Sequence, residues 1–322
     1  MKIIVYQDQI EHYRIPFWIE TSKEVELTLA SRNNPVISKK IRSKKLNVFT
    51  FFKKFRFYLL FDFKPYDKIV IPFDLNILNL YYLVFSQSRT KIFLWGIGVS
   101  SSSRVNFLRF ILAKRFAGLI VYEEKAYRYW RYLGIKNVYY KGNTVSVDKI
   151  DISQRKFKHL LICGSLDERK RVGDILEIAA KINIPVIVIG DGVMRNYLES
   201  KYTCNVQFLG KITDKIILKK YFLNTIATVH PGQAGLAVLN SMGHGVPFIC
   251  YTSAISGGEI GNIISGLNGY KVKNKLELEI LIDSLNSNHK LLKKISNNSF
   301  EYYWKHRSIE RMTQRFLKLM TK

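Results

Sequence analysis

The sequence predicts an α/β protein built from two doubly wound parallel-sheet domains. Three observations carry this expectation. The chain has 322 residues, long for one domain and suited to two. Short apolar runs of strand length alternate with helix-length segments along most of it, the pattern of parallel strands joined by crossover helices. The polar stretch KGNTVSVDKIDISQRK at 141–156 holds a Gly-Asn turn signal, precedes a fresh strand and divides the chain. The domains are accordingly set at 1–150 and 151–301, with the segment 302–322 packing back on the first.

In the first half, strands are expected at Lys2–Tyr6, Val25–Leu29, Lys68–Ile71, Lys91–Trp95, Gly118–Val121 and Asn137–Tyr140. In the second half they are expected at His159–Cys163, Pro185–Ile189, Val206–Leu209, Thr225–Val229 and Pro247–Cys250. Helices fill Val172–Lys181, Met194–Lys201, Lys215–Phe222, Leu236–Gly243 and Lys275–Asn286, and a single long helix, basic and aromatic, runs over Tyr302–Met320.

Lys and Arg number 51 against 25 Asp and Glu, a formal net charge of +26. Such a surplus speaks of partners rather than fold: nucleic acid, an anionic membrane surface or phosphorylated substrates. Cys163, Cys204 and Cys250 lie in apolar, strand-like stretches. Their odd number and wide spacing give neither a disulfide framework nor a metal site, and point to a reducing, cytoplasmic setting. The run at the amino end is too short for a signal peptide and reads as a strand. No uncharged apolar stretch is long enough to span a bilayer, so membrane contact would be peripheral, at the inner face of the plasma membrane. Three segments mix aromatic and basic residues: Phe49–Phe63, Asn106–Phe116 and Tyr127–Tyr132. The first is too aromatic on all sides for a simple amphipathic helix. It is read as lying in an anionic membrane interface, with Lys53, Lys54 and Arg56 as its cations. The other two are read as core helices with snorkelling edges.

The chemistry is expected at the carboxyl ends of the second-half strands, where doubly wound sheets bind ligands. The segment 229–249 reads VHPGQAGLAVLNSMGHGVPFI: a strand, a loop of Gly232, Gln233, Ala234 and Gly235, then a helix from Leu236. Glycine allows close backbone approach, and a helix start offers free N–H groups to a diphosphate. CGSLDERK brings Gly164, Ser165 and Lys170 after another strand; IGDG brings Gly190 and Asp191; FLGKI brings Gly210 and Lys211. His230 ends a strand beside the glycine loop, and His244 sits in the turn after the helix.

In order and spacing, GSLDERKR, VIGDG, VQFLGKITD, HPGQAGLAVLNSMGHGVPFI and GGEIGNIISGLNGYKV resemble the donor domain of family 4 glycosyltransferases. They span about residues 160–273. HYRIPFW, LWGIG and KGNTV resemble the first domain of a subset of the same enzymes. The resemblance implies a GT-B fold, two Rossmann-like domains facing a cleft. It implies transfer from a nucleotide-sugar donor, with retention and without a metal, to a glycan or lipid-linked acceptor in polysaccharide, lipopolysaccharide, O-antigen or capsule assembly; the sugar nucleotide is a co-substrate and no other cofactor is expected. Where the family usually carries two Glu residues, this chain has Gly232 and Asn240, the latter placed to hold the nucleotide ribose. An Arg is replaced by Ser165, and a Trp-Gly-His-Gly histidine by Ile97. Glu259 stands in the loop that the family places near the donor.

In the first half, Asp8 and His12 follow the first strand and are the candidates for catalysis, His12 as general base. Arg14 is a candidate acceptor contact, and Asp74 a helix N-cap at Leu75. No group of His and acidic residues has metal-ligand spacing. Two other readings compete: a catalytically silent relative that binds nucleotide or scaffolds an assembly, and a basic nucleic-acid-binding protein. The latter lacks a recognition motif, and its basic residues form no single stripe, so nucleic acid is not an expected partner.

Overall fold

The computed structural model describes residues 1–96 and 99–321 and divides into two compact units, Met1–Asn143 with Ile309–Lys322, and Thr144–Ser308. The division thus falls before 150. Residues 144–150 belong to the second unit because they pack there: Val147 lies against Gly243, and the Tyr303 hydroxyl donates to the Val145 carbonyl at 2.6 Å.

The first unit holds β1 (Lys2–Gln7), β2 (Glu26–Ser31), β3 (Ile41–Lys45), β4 (Val48–Phe51), β5 (Phe55–Tyr58), β6 (Lys68–Pro72), β7 (Ile92–Gly96), β8 (Gly118–Val121) and β9 (Val138–Tyr140). Seven of these form a parallel sheet in the order β3-β2-β1-β6-β7-β8-β9, which reverses direction between β1 and β6. Strands buried on both faces read as continuous apolar runs, and β1, β6, β7 and β8 do. The edge strand β3, IRSKK, buries only Ile41 and escapes a search for apolar runs. Helices α1 (Ile15–Thr21), α2 (Asn79–Leu83), α3 (Ser103–Ala113) and α4 (Glu124–Tyr132) cover the sheet.

The aromatic-basic run at 49–63 is a hairpin of β4 and β5, not a helix. Its turn carries Phe52 and Lys53 at positive φ, 49° and 55°, left-handed backbone that right-handed strand twist favours in tight hairpins. Phe49, Phe51, Phe52 and Phe55 are exposed, as are Lys53 and Lys54, whereas Tyr58 is fully buried. Arg56 is not part of that face: its guanidinium turns inward to the carboxylates of Asp8 and Asp74. The segments at 106–116 and 127–132 are α3 and α4. Leu112, Ala113 and Phe116 are buried, as are Ala126 and Trp130, but Phe107, Leu108, Ile111 and Tyr132 face out.

The second unit holds β10 (His159–Cys163), β11 (Val186–Ile189), β12 (Val206–Gly210), β13 (Thr225–Val229), β14 (Phe248–Tyr251) and β15 (Gly269–Val272). They form a parallel sheet in the order β12-β11-β10-β13-β14-β15, reversing between β10 and β13. Helices α5 (Val172–Lys181), α6 (Arg195–Lys201), α7 (Lys215–Leu223), α8 (Ala237–Gly243), α9 (Lys275–Ser287) and α10 (His289–His306) flank it. Buried Arg155 ties three of its elements together, donating to the carbonyls of Gly245 and Thr225 and to the Ser296 hydroxyl.

The expected single helix at 302–320 is two. Helix α10 ends at His306 within the second unit, and α11 (Ile309–Met320) belongs to the first. At Arg307 the backbone leaves the helix, with φ −128° and ψ −2°, and the side chain donates to Asn262 and Tyr302. Ser308 followed by Glu310 is a helix-start signal. Helix α11 packs on α1 through Phe316, whose ring lies 5.5 Å from Phe17, 6.0 Å from Trp18 and 6.1 Å from Trp95 between centroids. Emptying that position should cost about 3–5 kcal/mol, as for other buried Phe truncations. Urea unfolding of Phe316→Ala should show the loss; a change below about 1 kcal/mol would mean that α11 is not anchored there.

Candidate functional site

Ligands of doubly wound sheets settle at the carboxyl ends of the strands where the order reverses. In the second unit that point lies between β10 and β13, and the chain stitches the two strand ends together. The Cys163 N–H donates to His230 Nε2 at 3.2 Å, and the Gly232 N–H to the Lys170 carbonyl at 3.2 Å. Gly164, Lys170, His230 and Gly232 are thereby gathered on one rim. The next strand ends continue it: Gly164 N–H bonds to the Ile189 carbonyl and Gly190 N–H to the Gly210 carbonyl. Gly190 has φ +150°, and a Cβ on it would overlap the Gly164 carbonyl; only glycine lets these two turns touch.

The charges of this rim come from side chains. Lys170 is half-buried, forms no ion pair among the described residues, and its pKa is lowered by burial. Its ammonium lies against Gly164, as does the His230 ring. Burial pushes His230 down to about 3, with Lys170 adding to the effect. The ring is therefore neutral, and since Nε2 accepts, the proton sits on Nδ1. That buried Nδ1 has no partner among the described residues.

The expected diphosphate helix is shorter than the sequence suggested. Helix α8 has seven residues, and Val238, Leu239 and Asn240 bond back to Gly235 and Leu236. Ala234 and Gly232 are tied to Ile255 across the neighbouring loop, which carries Gln233 with it in a bridge to Ile255. A Cβ on Gly232 would overlap the Arg169 carbonyl, whereas one on Gly235 would meet nothing within 4 Å. Gly232 thus serves packing and Gly235 faces open space. Half-buried Asn240 has no side-chain hydrogen bond among the described residues. Glu259 is buried rather than a surface acid and accepts from the Ser256 hydroxyl.

Other predicted residues stand apart. Ser165 is exposed and donates to Asp167. Asp191 is exposed and accepts from the Gly192 N–H. Lys211 is exposed past β12. His244 is structural: its ring stacks on Phe222 at 4.2 Å and it bonds to the Asn240 carbonyl.

The first unit has its own cavity of about 500 Å³ at the reversal between β1 and β6, lined by Gln7, Asp8, Arg14, Arg32, Arg56 and Trp95 among others. Asp8 lines it, but its carboxylate is taken by Arg56, with Arg32 at 3.8 Å, which removes it from the role of a free base. His12 opens a short 3-10 turn, is exposed and does not line the cavity. Asp74 accepts from the Asn76 N–H and from Arg56; the helix near it, α2, starts only at Asn79, so it does not cap that helix. The Trp-Gly-Ile-Gly segment runs into Ile97 and Gly98, which lie outside the described residues.

Arg14 does enter this cavity. Its guanidinium stacks at 5.4 Å from the rings of Trp95 and Tyr122 and donates to the Tyr122 hydroxyl at 2.8 Å. Lys141, which the sequence reading passed over inside the KGNTV segment, is 2% exposed. Its Nζ lies 3.9 Å from the Trp95 ring centroid and 4.2 Å from that of Phe17, with no hydrogen bond among the described residues. Among the described residues no three His, Cys, Asp or Glu side chains are grouped to hold a metal ion.

Burial, with Arg14 nearby, pulls the Lys141 pKa well below its ordinary value. Between the folded and unfolded pKa values the unfolded chain holds a proton that the folded chain does not. Stability therefore rises with pH toward about 10.4 and is lost as pH falls, by up to about 1.4 kcal/mol per pH unit. Lys141→Met should be more stable than the wild type at neutral pH, by a margin that shrinks as pH rises. A margin independent of pH would show that Lys141 is charged in the folded protein.

Residues 148–302 match the family Glycosyl transferases group 1. No curated protein matches the sequence. Among solved structures, HepE of Anabaena in complex with UDP is 15% identical over the whole of both chains, with a TM-score of 0.72. The lipopolysaccharide outer core galactosyltransferase WaaB is 16% identical over 100% of this chain and 99% of its own, at 0.67. TarM of S. aureus, in complex with fondaparinux, alpha-GlcNAc-glycerol and UDP, is 16% identical over 80% of this chain, at 0.59; the match spans 56% of TarM. At such identities the likeness shows the fold, two parallel sheets with flanking helices. The chain thus has the GT-B fold of these structures, and its second unit matches the Glycosyl transferases group 1 family.

Proposed function

We propose that the protein moves a sugar, with retention of configuration, from a nucleoside diphosphate donor to a glycan or lipid-linked acceptor in cell-surface polysaccharide assembly. The observation that carries this is the meeting of Lys170, His230 and the close-packed glycine turns at the β10–β13 reversal. A free ammonium and an unpartnered imidazole N–H there can hold a diphosphate and a sugar hydroxyl. Open space at Gly235 leaves room for the backbone to approach the phosphates, and Asn240 is free to hold the ribose. UDP in HepE and in TarM supports a uridine donor as the first to test. Catalysis on this reading is positioning plus electrostatic stabilisation of the departing diphosphate.

The experiment is UDP binding by calorimetry, followed by donor hydrolysis and transfer. Lys170→Ala should weaken UDP by about 1.5–3 kcal/mol, the range for hydrogen bonds to charged groups. Gly235→Val should fold normally and bind poorly, whereas Gly232→Val should fail to fold. Asn240→Ala should weaken UDP but not its 2′,3′-dideoxy form. Wild-type affinity for UDP in both Lys170→Ala and Gly235→Val would refute the site.

We also infer that the protein works peripherally at the inner face of the plasma membrane. No helix among the described residues is long and apolar enough to cross a membrane. Support comes from the +26 charge and from the hairpin tip, where exposed Phe49, Phe51, Phe52 and Phe55 flank Lys53 and Lys54. Rings insert and cations adsorb, each cation contributing about 1 kcal/mol at an anionic surface. Phe52→Ser with Lys53→Glu and Lys54→Glu should release the protein from phosphatidylglycerol vesicles while UDP binding stays intact. Arg56 is spared because its loss would strand Asp8 and Asp74. Unchanged co-sedimentation of this variant would exclude the hairpin.

A further inference from the structure

The cavity of the first unit has an unbalanced charge. Arg32 and Arg56 are matched by Asp8 and Asp74. Among the described residues Arg14 is matched by nothing: it shares the rings of Trp95 and Tyr122 with buried Lys141 and contacts no carboxylate. Among the described residues the side-chain hydrogen bonds of Arg14 go to the hydroxyls of Tyr13 and Tyr122, at 3.2 and 2.8 Å. Glu11, the remaining acid on the lining, is exposed and forms no ion pair among the described residues. A partly buried guanidinium that stacks on aromatic rings keeps its outward N–H groups for a planar or tetrahedral anion.

The same cavity offers acceptors. Gln7 is 7% exposed and its Oε1 has no hydrogen-bond partner among the described residues; Asp8 Oδ1, 3.8 Å from Arg32, accepts no hydrogen bond among them either. Buried acceptors left open call for hydroxyl donors. A volume of about 500 Å³ lies within the range of small-ligand pockets. Hydroxyl donors together with one anionic group describe an acidic sugar, better than a bare anion or a neutral sugar.

We propose that this cavity selects an acidic saccharide acceptor, its carboxylate or phosphate seated on Arg14 and its hydroxyls on Gln7 and Asp8. The word acceptor rests on the transferase reading above; the binding itself does not. Arg14 is then a specificity-determining residue.

The test uses the full chain and equilibrium titration with glucuronate, glucose 6-phosphate, inorganic phosphate and glucose. One of the two acidic sugars should bind at least tenfold more tightly than glucose and than phosphate, and which one it is separates a carboxylate site from a phosphate site. Arg14→Gln should abolish that preference, Arg14→Lys should keep part of it, and Lys170→Ala should leave it unchanged. UDP titration of the wild type and of the Arg14 variants reports folding and tests the donor reading separately: a wild type that binds no UDP yet keeps the acid preference sinks the donor site, not this one. The proposal is overturned if neither acidic sugar exceeds glucose, if Arg14→Gln keeps the preference, or if Lys170→Ala is the variant that loses it.

Discussion

Strands that run parallel can be joined only by crossovers, and every strand of the seven- and six-stranded sheets runs parallel to its neighbours. This constraint sends all carboxyl ends of a sheet to one side and every connecting helix to its faces. Where the winding changes direction, two loops part and leave a crevice. The cavity of the first unit lies at the β1–β6 reversal, and the Lys170–His230 rim lies at the β10–β13 reversal. Neither location depends on the identity of the loop residues; those decide only what each crevice can hold.

The two crevices solve the problem of charge in opposite ways. In the second unit, backbone turns come so close that glycine is obligatory, and a single ammonium and a neutral imidazole stand over them. In the first unit the walls are aromatic, and cations are held by ring faces. Cation–π attraction is worth about 0.5–2 kcal/mol per contact, too little to offset full desolvation of an ammonium. Burial therefore pulls the Lys141 pKa down, while Arg14, whose guanidinium cannot lose its proton, keeps its charge for the cavity. Trp95 is common to both and to the Phe17, Trp18 and Phe316 cluster. The same ring thus anchors α11 to the sheet and shapes the cavity.

Much of the architecture was legible from local pattern. β8, β10, β13 and α5 fall on the very residues expected, because buried parallel strands are continuous apolar runs and because turn residues bound them. The glycine turns after β10, β11 and β12 were legible for the same reason: glycine at a strand end announces a backbone geometry that other residues resist. Polar β3 and the short β15, with Gly269 and Lys271, were missed, since an edge strand needs no apolar run.

What the sequence determined by itself was the fold class, the order of the elements and the rim of the second sheet, all set by periodicity and backbone chemistry over a few residues. Tertiary structure alone decided which side chains met. Arg56 looked like a surface cation and was drawn inward by Asp8, 48 positions away in the chain, and by Asp74. The carboxylate of Asp8, a candidate for catalysis, is engaged by the same contact. Lys141 looked like a loop lysine and was buried beneath Trp95. The helix at 302–320 was divided between the units at Arg307. Each outcome turns on long-range burial and pairing, which no local pattern encodes because the partners are distant in the chain.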